Sequence, residues 1–478
     1  MARDIPVRNP RTGEDDYTIQ AADADDLAAI AAELRGAQPG WRALGAAGRG
    51  TVLEAWSQAL LASAQPLLDA LAADTGRYLI ATAELYGVPG MVARWKEAAP
   101  GLLDEQGERD SASPGVGVRD NFVPLELVGV ISPWNFPLLL SMIDAIPALA
   151  AGCAVIVKPS EVTPRFAAPL MDTINEFPEL ASVFRFVPGD GATGAALIEQ
   201  VDAIAFTGSV KTGRIVAEAC ARRFIPAFLE LGGKDPCVVL PSADAADAAR
   251  VVLRASVQAT GQACQSLERV YVHDSLYDEF VAELTEHAEA LELNYPDIHE
   301  GHIGPLIFGR QADIIESHLA DARAKGATVL TGGEIEHHGG GLWVRPTVVV
   351  DVNHSMQLMR DETFGPVIPV MRYHDLDEAI RLANDTEYGL SAAVIGDADE
   401  ADRVARQLNA GAVSINDGAM TTEVHDATHD AFGYSGMGVS RMGPSGLMRY
   451  LRRKALLVRR GEPRDMSSMD ERLAVSSG

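Results

Sequence analysis

Apolar residues recur at helical spacing through the first hundred positions, where Leu27, Ile30 and Leu34 share one face and Val52, Leu53, Leu60 and Leu61 form a second. These alanine-rich segments are expected to be helices that cover another layer. Residues 101–124, GLLDEQGERDSASPGVGVRDNFVP, break the pattern with glycines, prolines and charges, and read as a linker or a projecting hairpin. From Leu127 the texture changes to short continuous Val/Ile/Ala runs: LVGVIS, then AVIVKPS, then strands at 183–187 and 203–206. Between them lie a helix over about 138–150 and another beginning near Pro164. Such runs alternating with helices mark a parallel sheet buried on both faces, a βαβ-type layered domain. The same rhythm returns at 237–240, where Asp244 can cap a helix with Asp247 three positions on, and at 327–330, 344–350, 367–371, 390–395 and 412–415. The segment KALLVRR has strand character beyond the last obvious domain, so it is expected to pair with another segment or another subunit.

A chain of 478 residues is too long for one hydrophobic core, so two or three domains are expected. With 47% hydrophobic and 22% charged residues it has the composition of a soluble globular protein. The net charge of −27 argues against nucleic acid or an anionic bilayer as the main partner. The longest oily region, 128–157, is interrupted by Pro133, Asn135, Asp144 and Pro147, and no membrane span is expected. Four cysteines without a CxxC pair suit a reducing cytoplasm, and MARDIPVRNP lacks the apolar stretch of a secretory signal. His425 and His429 are four apart, but HExxH is absent, and His337 and His338 lie in a Gly-rich turn, so no metal is expected.

Several pieces could carry chemistry. Cys264, in GQACQS, follows a glycine near an expected helix end, where a thiolate would be presented to a cleft; a lone cysteine is also often a small core residue. Glu230, in FLELGGKDP, ends a strand-like run before two glycines, where a carboxylate can serve as general base or simply pair with a cation. Gly208 and Ser209, in FTGSVKTG, follow a strand at a helix start and could meet a diphosphate, although the segment matches neither common glycine fingerprint. Lys158, Ser160 and Glu161 follow AVIVKPSE's strand, beyond the carboxyl end where open parallel sheets bind ligands. Asn135, in SPWNFP, can donate to an oxyanion or serve as a turn residue.

Taken together, PWNFP (133–137), KPSEVTP (158–164), FTGS (206–209), ELGGKDP (230–236), GQACQSLER (261–269), ETFGPV (362–367) and the looser GYSGMGVSRMG (433–443) resemble the NAD(P)-dependent aldehyde dehydrogenase superfamily, in its hydrolytic branch, over nearly the whole chain. The resemblance implies that Cys264 attacks the aldehyde, that Asn135 and the Cys264 N–H hold the oxyanion, and that Glu230 activates the water that hydrolyses the thioester. It further implies that Lys158 and Glu161 hold the adenosine ribose, that Ser160, Gly208 and Ser209 lie along the cofactor, and that Glu362 and Phe364 meet its nicotinamide end, with Trp134 at the diphosphate. Glu161 favours NAD over NADP, because a carboxylate repels a 2′-phosphate.

The implied α/β fold has a Rossmann-like cofactor domain (1–103 and 125–231), an α/β catalytic domain (232–437) and a small β oligomerisation element with a C-terminal arm (104–124 and 438–478). A homodimer or homotetramer follows from it. Phe136, Leu140, Ile143, Ala263, Gln265 and Phe432 match positions that line the aldehyde tunnel, although AFGYSGMGVSRMG departs from the frequent PFGG loop. With no arginine assigned to a substrate carboxylate, and Arg441 read as structural, an uncharged aliphatic or aromatic aldehyde is expected. The alternatives are a semialdehyde dehydrogenase, a coenzyme-A-acylating relative, whose kind commonly lacks the glutamate found at 230, and a silent structural protein on this fold.

Overall fold

The computed structural model describes residues 3–103, 107–463 and 465–471. The first sheet has the strand order Gly436–Met437, Ala227–Glu230, Ala203–Thr207, Leu127–Ile131, Ala154–Lys158, Phe184–Phe186, all parallel except the first. Its three central strands are buried along their whole length, as their unbroken apolar sequence requires. Leu127–Ile131 lies where the chain first winds outward to one side and later returns to the other, so a crevice opens beyond its carboxyl end. Pro137 starts the Pro137–Ala151 helix, which is buried on nearly every side between this sheet and the covering helices. Those covers are Ala24–Ala43, Gly45–Ala62, Ala64–Thr75 and Tyr78–Leu103, whose buried Leu27, Leu34, Leu53, Leu60 and Leu85 join the same core as the sheet. Each such leucine contributes about 1.5–3 kcal/mol.

The second sheet runs Thr328–Thr331, Thr347–Val350, Val367–Tyr373, Leu267–His273, Asp235–Val239, Ser391–Ile395, Ala412–Ile415, parallel apart from its first strand. Asp244 caps Ala245–Val257 through the Asp247 N–H, as the sequence predicts. Three departures from the sequence reading have plain causes. Residues 3–21, part of the first hundred positions that read as helical, instead form the hairpin Arg3–Arg8/Asp15–Ala21, whose alternation is masked by charges on its exposed face. The run 344–350 is cut at Arg345–Pro346, where proline has no N–H for a ladder; Gly341–Val344 pairs in a hairpin and Thr347–Val350 in the large sheet. Leu267–His273 sits in the middle of that sheet although LERVYVH carries charges, because Glu268 and Arg269 are buried in ion-pair and carbonyl contacts.

The C-terminal Leu451–Arg459 strand pairs over nine positions with Val116–Pro124, and Arg109–Asp110 completes this third sheet. Leu457 on it is exposed. Residues 104–106, 464 and 472–478 of the expected oligomerisation segments lie outside the described residues. No helix among the described residues is long and apolar enough to cross a membrane.

Candidate active site

The two sheets bring different strand ends to one place. From the first sheet come carboxyl ends: Trp134 and Asn135 follow Leu127–Ile131, Lys158 closes Ala154–Lys158, Gly208 and Ser209 follow Ala203–Thr207, and Glu230 closes Ala227–Glu230. From the second come amino ends: Lys234 precedes Asp235–Val239, Cys264 precedes Leu267–His273, and Glu362 to Phe364 precede Val367–Tyr373.

A cavity of ≈ 330 Å³ between them is lined by Cys264, Glu230, Phe136, Leu140, Ile143, Ala263 and Gln265, with Ile80, Glu84, His425, His429 and Arg441 among its other walls. Phe432 is absent from that lining. Its N–H donates to the Gly389 carbonyl at 2.9 Å, the residue is 41% exposed, and the adjacent Ala431 stands on the wall.

Cys264 follows the Ala245–Val257 helix after a kinked turn in which Ala259 and Thr260 take positive φ of 54° and 62°. Burial, reinforced by Glu362, Asp235 and Glu230, pushes the thiol up to about 12, with Arg441 opposing. Asn135 is buried, and its Nδ2 donates to the Gln262 carbonyl at 2.9 Å, two residues before the cysteine; that nitrogen carries a second hydrogen. Glu230 lies 3.4 Å from the Arg441 Nε. Arg441 also donates to the Thr207 hydroxyl and stands 3.5 Å from buried Asp144, which is paired in turn with Arg449. Two guanidinium groups thus neutralise two carboxylates behind the cavity.

Glu362 accepts from the Gly233 N–H at 3.0 Å. A Cβ on Gly232 would stand 2.5 Å from a Glu362 oxygen, so only glycine permits this approach. Burial and then the Glu268 charge push the Glu362 carboxyl up to about 8. Glu268 holds the next two residues by accepting from the Thr363 and Phe364 N–H groups at 2.8 and 2.7 Å, and pairs with buried Lys234 at 2.6 Å. The Phe364 ring meets Trp134 edge-on at 5.3 Å, an aromatic wall across the cleft.

Lys158 Nζ donates to Glu161 at 3.1 Å and to the Gly189 carbonyl at 2.7 Å; burial lowers its pKa and Glu161 opposes. Ser160 accepts from the Val162 N–H, Ser209 caps the Val210–Arg223 helix through the Thr212 N–H, and the Gly208 N–H is taken by the Glu230 carbonyl. The set fits a dinucleotide: a carboxylate 41% exposed for a ribose diol and a helix amino terminus for phosphate, both beyond the carboxyl ends of one parallel sheet, with an aromatic pair beside them.

Sequence reasoning misses Arg77, Glu84, Asp144, Lys234 and Glu268. Lys234 and Glu268 sit inside the motifs 230–236 and 261–269, where a charged pair flanking glycines and a cysteine is available as a signal. Arg77 and Glu84 lie in a segment that reads only as covering helix. Glu84 is buried, accepts from the Leu138 and Leu139 N–H groups at 3.0 and 2.9 Å, and is pushed by burial up to about 7.

Comparison with known proteins agrees with this arrangement. The profile of the aldehyde dehydrogenase family matches residues 1–456. A Mycolicibacterium smegmatis protein named "Putative succinate-semialdehyde dehydrogenase", NADP(+) form, is 37% identical over 450 residues, 93% of this chain and 87% of that one. The 4,4'-diapolycopene aldehyde oxidase of Methylomonas sp is 36% identical over 423 residues, 87% of this chain and 77% of that one. The solved structure of "Putative Aldehyde Dehydrogenase PutA" from Anabaena variabilis superposes with a TM-score of 0.95 at 52% identity, covering 97% of this chain and 99% of that one. The chain belongs to the aldehyde dehydrogenase family, and it is an NAD(P)-dependent enzyme that oxidises an aldehyde to the acid through a cysteine.

Proposed function

We infer that Cys264 is that cysteine, that Asn135 is its oxyanion donor and that Glu230 is the base of a hydrolytic reaction. The observation that carries this reading is the ≈ 330 Å³ cavity on which Cys264 and Glu230 both open, with the Asn135 amide tied to the backbone just before the cysteine. The Cys264 Sγ adds to the aldehyde carbon and its proton passes to solvent water as the bond forms. The second Nδ2 hydrogen of Asn135 and the Cys264 N–H donate to the oxygen as it becomes negative. A bound nicotinamide dinucleotide supplies the hydride acceptor, and the substrate is left as a thioester on Cys264. Glu230 then takes a proton from the water that attacks the thioester and returns it to the departing Cys264 sulfur, so the acid leaves and the thiol is restored. Trp134, Lys158, Ser160, Glu161, Gly208, Ser209, Glu362 and Phe364 are the residues that would hold the dinucleotide. Glu161 supports NAD over NADP; a kcat/KM with NADP equal to or above that with NAD overturns the preference.

The substrate we favour is an ω-carboxy semialdehyde. Its support is the name carried by the Mycolicibacterium smegmatis relative, together with the Arg441 guanidinium and the His425 and His429 ring nitrogens as polar groups on the cavity wall. A second reading, an uncharged aliphatic or aromatic aldehyde, is supported by the apolar side chains Ile80, Phe136, Leu139, Leu140 and Ile143. It also draws on the pairing of Arg441 with Glu230 and Asp144.

Both parts meet one experiment: NADH or NADPH appearance across ω-carboxy, short, long and aromatic aldehydes, with Cys264→Ala alongside and coenzyme A added in parallel. Loss of turnover in C264A and an ω-carboxy kcat/KM at least tenfold above the matching straight-chain aldehyde are the expected results. Turnover surviving in C264A overturns the nucleophile. The reverse substrate ranking selects the second reading, and acyl-CoA formed at the rate of reduced cofactor overturns hydrolysis.

A further inference from the structure

We propose that Arg77 is a positioning residue for the Asn135 amide, locking the loop that carries it to the loop that carries Cys264. The inference rests on the roles given above to Asn135 and Cys264.

Arg77 enters from the covering helices, just after the Ala64–Thr75 helix. That helix ends on Gly76, at φ 66°. A Cβ there would lie 2.3 Å from Pro305, so no other residue fits, and the Gly76 carbonyl is held by the Asn294 amide at 2.7 Å. The backbone is thereby fixed immediately before the arginine. Its side chain is buried and divides its guanidinium between two carbonyls: Nη2 donates to the Asn135 carbonyl and Nη1 to the Ala259 carbonyl at 2.9 Å. It also stacks over the Phe136 ring at 5.3 Å.

Both carbonyls belong to segments that need holding. Ala259 and Thr260 are non-glycine residues at positive φ, a strained conformation that persists only when neighbours over-determine it. Thr260 is fastened by the Gly304 backbone and Gln262 by Pro305 and Ile307. These bonds anchor the cysteine loop to its own domain. Among the described residues, the hydrogen bonds that join it to the Asn135 loop run from the Asn135 side chain to the Gln262 carbonyl and through Arg77 between the two backbones.

The Arg77 Nε, by contrast, is buried without a hydrogen-bond partner. The planar fork is what the site uses, because only its two Nη groups span the two carbonyls at once. Seven residues on, Glu84 seats the start of the Pro137–Ala151 helix, so the loop bearing Asn135 is held on both sides from the covering layer.

A misplacement of the oxyanion donor by about 1 Å can cost about 10²-fold in rate. Arg77→Ala is therefore expected to lower kcat about 10²-fold with KM changed less than threefold. The pre-steady-state burst of reduced cofactor should slow by the same factor, since the oxyanion forms in acylation as well as in hydrolysis. Arg77 also lines a second cavity, ≈ 640 Å³, that opens beside Ala259 and Thr260. Millimolar guanidinium should thus restore burst rate to R77A, whereas equal sodium chloride should not. Arg77→Lys, which keeps the charge and one donor direction, should fall between wild type and R77A, and serves if R77A does not fold.

An R77A burst rate within threefold of wild type while C264A is inactive overturns the inference and leaves the proposed function standing. So does R77A or R77K losing activity only in proportion to the folded fraction seen by circular dichroism, with no guanidinium response. Turnover surviving in C264A overturns the underlying reading instead.

Discussion

The two sheets meet at one cavity from opposite strand ends, and they stabilise what they present in different ways. At the carboxyl ends of the first sheet, site residues sit at or shortly past a strand, where the strand itself aims them; Glu230 is the last residue of its strand and needs only Arg441 beside it. At the amino ends of the second sheet, site residues stand on loops before their strands, with nothing regular behind them. There the fold invests buried polar pairs: Lys234 with Glu268, Glu268 with two loop N–H groups, Asp235 with the Ser391 hydroxyl, and Arg269 with the Lys234 carbonyl. Position that comes directly from a ladder, as at Glu230, needs few further contacts, whereas Asn135, on a loop past its strand, is held by Arg77. Position that comes from a loop needs a scaffold of charges, and each of these is expensive to leave alone.

The comparison can be broken most strongly on the first sheet's side. Glu230→Gln keeps shape and removes the base, so steady-state turnover should fall about 10²–10⁴-fold while the first-turnover burst survives. A burst lost together with turnover would mean that Glu230 acts before the thioester. On the second sheet's side, Glu268→Gln leaves Lys234 buried without its counter-charge and weakens the hold on Thr363 and Phe364. It should lower stability by about 3–5 kcal/mol in urea unfolding and weaken cofactor binding in titrations. Unchanged stability would mean that the loop is held otherwise.

The smallest effect sharpens the contrast by pH. Asp235 and Glu362 are both pushed up to about 8 by burial, so the folded state prefers them protonated more than the unfolded chain does. Their contribution is present below the ordinary carboxylate range and is lost as pH rises towards 8. Melting temperature should accordingly fall by a few degrees between about pH 6 and about pH 9, and Glu362→Gln, which cannot ionise, should flatten that slope. A slope identical in the variant would assign the pH dependence elsewhere.

The same asymmetry governs what is legible in the sequence. The strands of the first sheet announce themselves as unbroken Val/Ile/Ala runs, and the residues that sequence reasoning singles out at their ends, Asn135, Lys158, Glu161, Ser209 and Glu230, stand at or just past those strands in the fold. In the second sheet the central strand LERVYVH escapes notice, because its buried Glu268 and Arg269 look like surface charges until their partners are known. On the cavity wall Ala431 stands where the sequence points to its neighbour Phe432, and nothing in AFGYSG marks that one-residue difference. Arg77 and Glu84 are illegible for a different reason. Their partners are backbone groups of residues about fifty or more positions away, and a bond to a distant carbonyl or N–H leaves no mark on composition or periodicity.

The short Gly436–Met437 strand has one more consequence. It closes the edge of the first sheet against Ala227–Glu230, the Leu231 N–H reaches the Ser435 carbonyl, and Leu447 and Tyr450 fill the core beneath. During synthesis, then, the strand that ends in Glu230 emerges about two hundred residues before the segment that finishes its edge. The ribosome must deliver the entire second sheet before the first can be sealed. The nascent chain carries its thiol and its carboxylate through much of translation without the finished pocket in which they could meet an aldehyde, so the reactive centre comes together late, as one of the last acts of the fold.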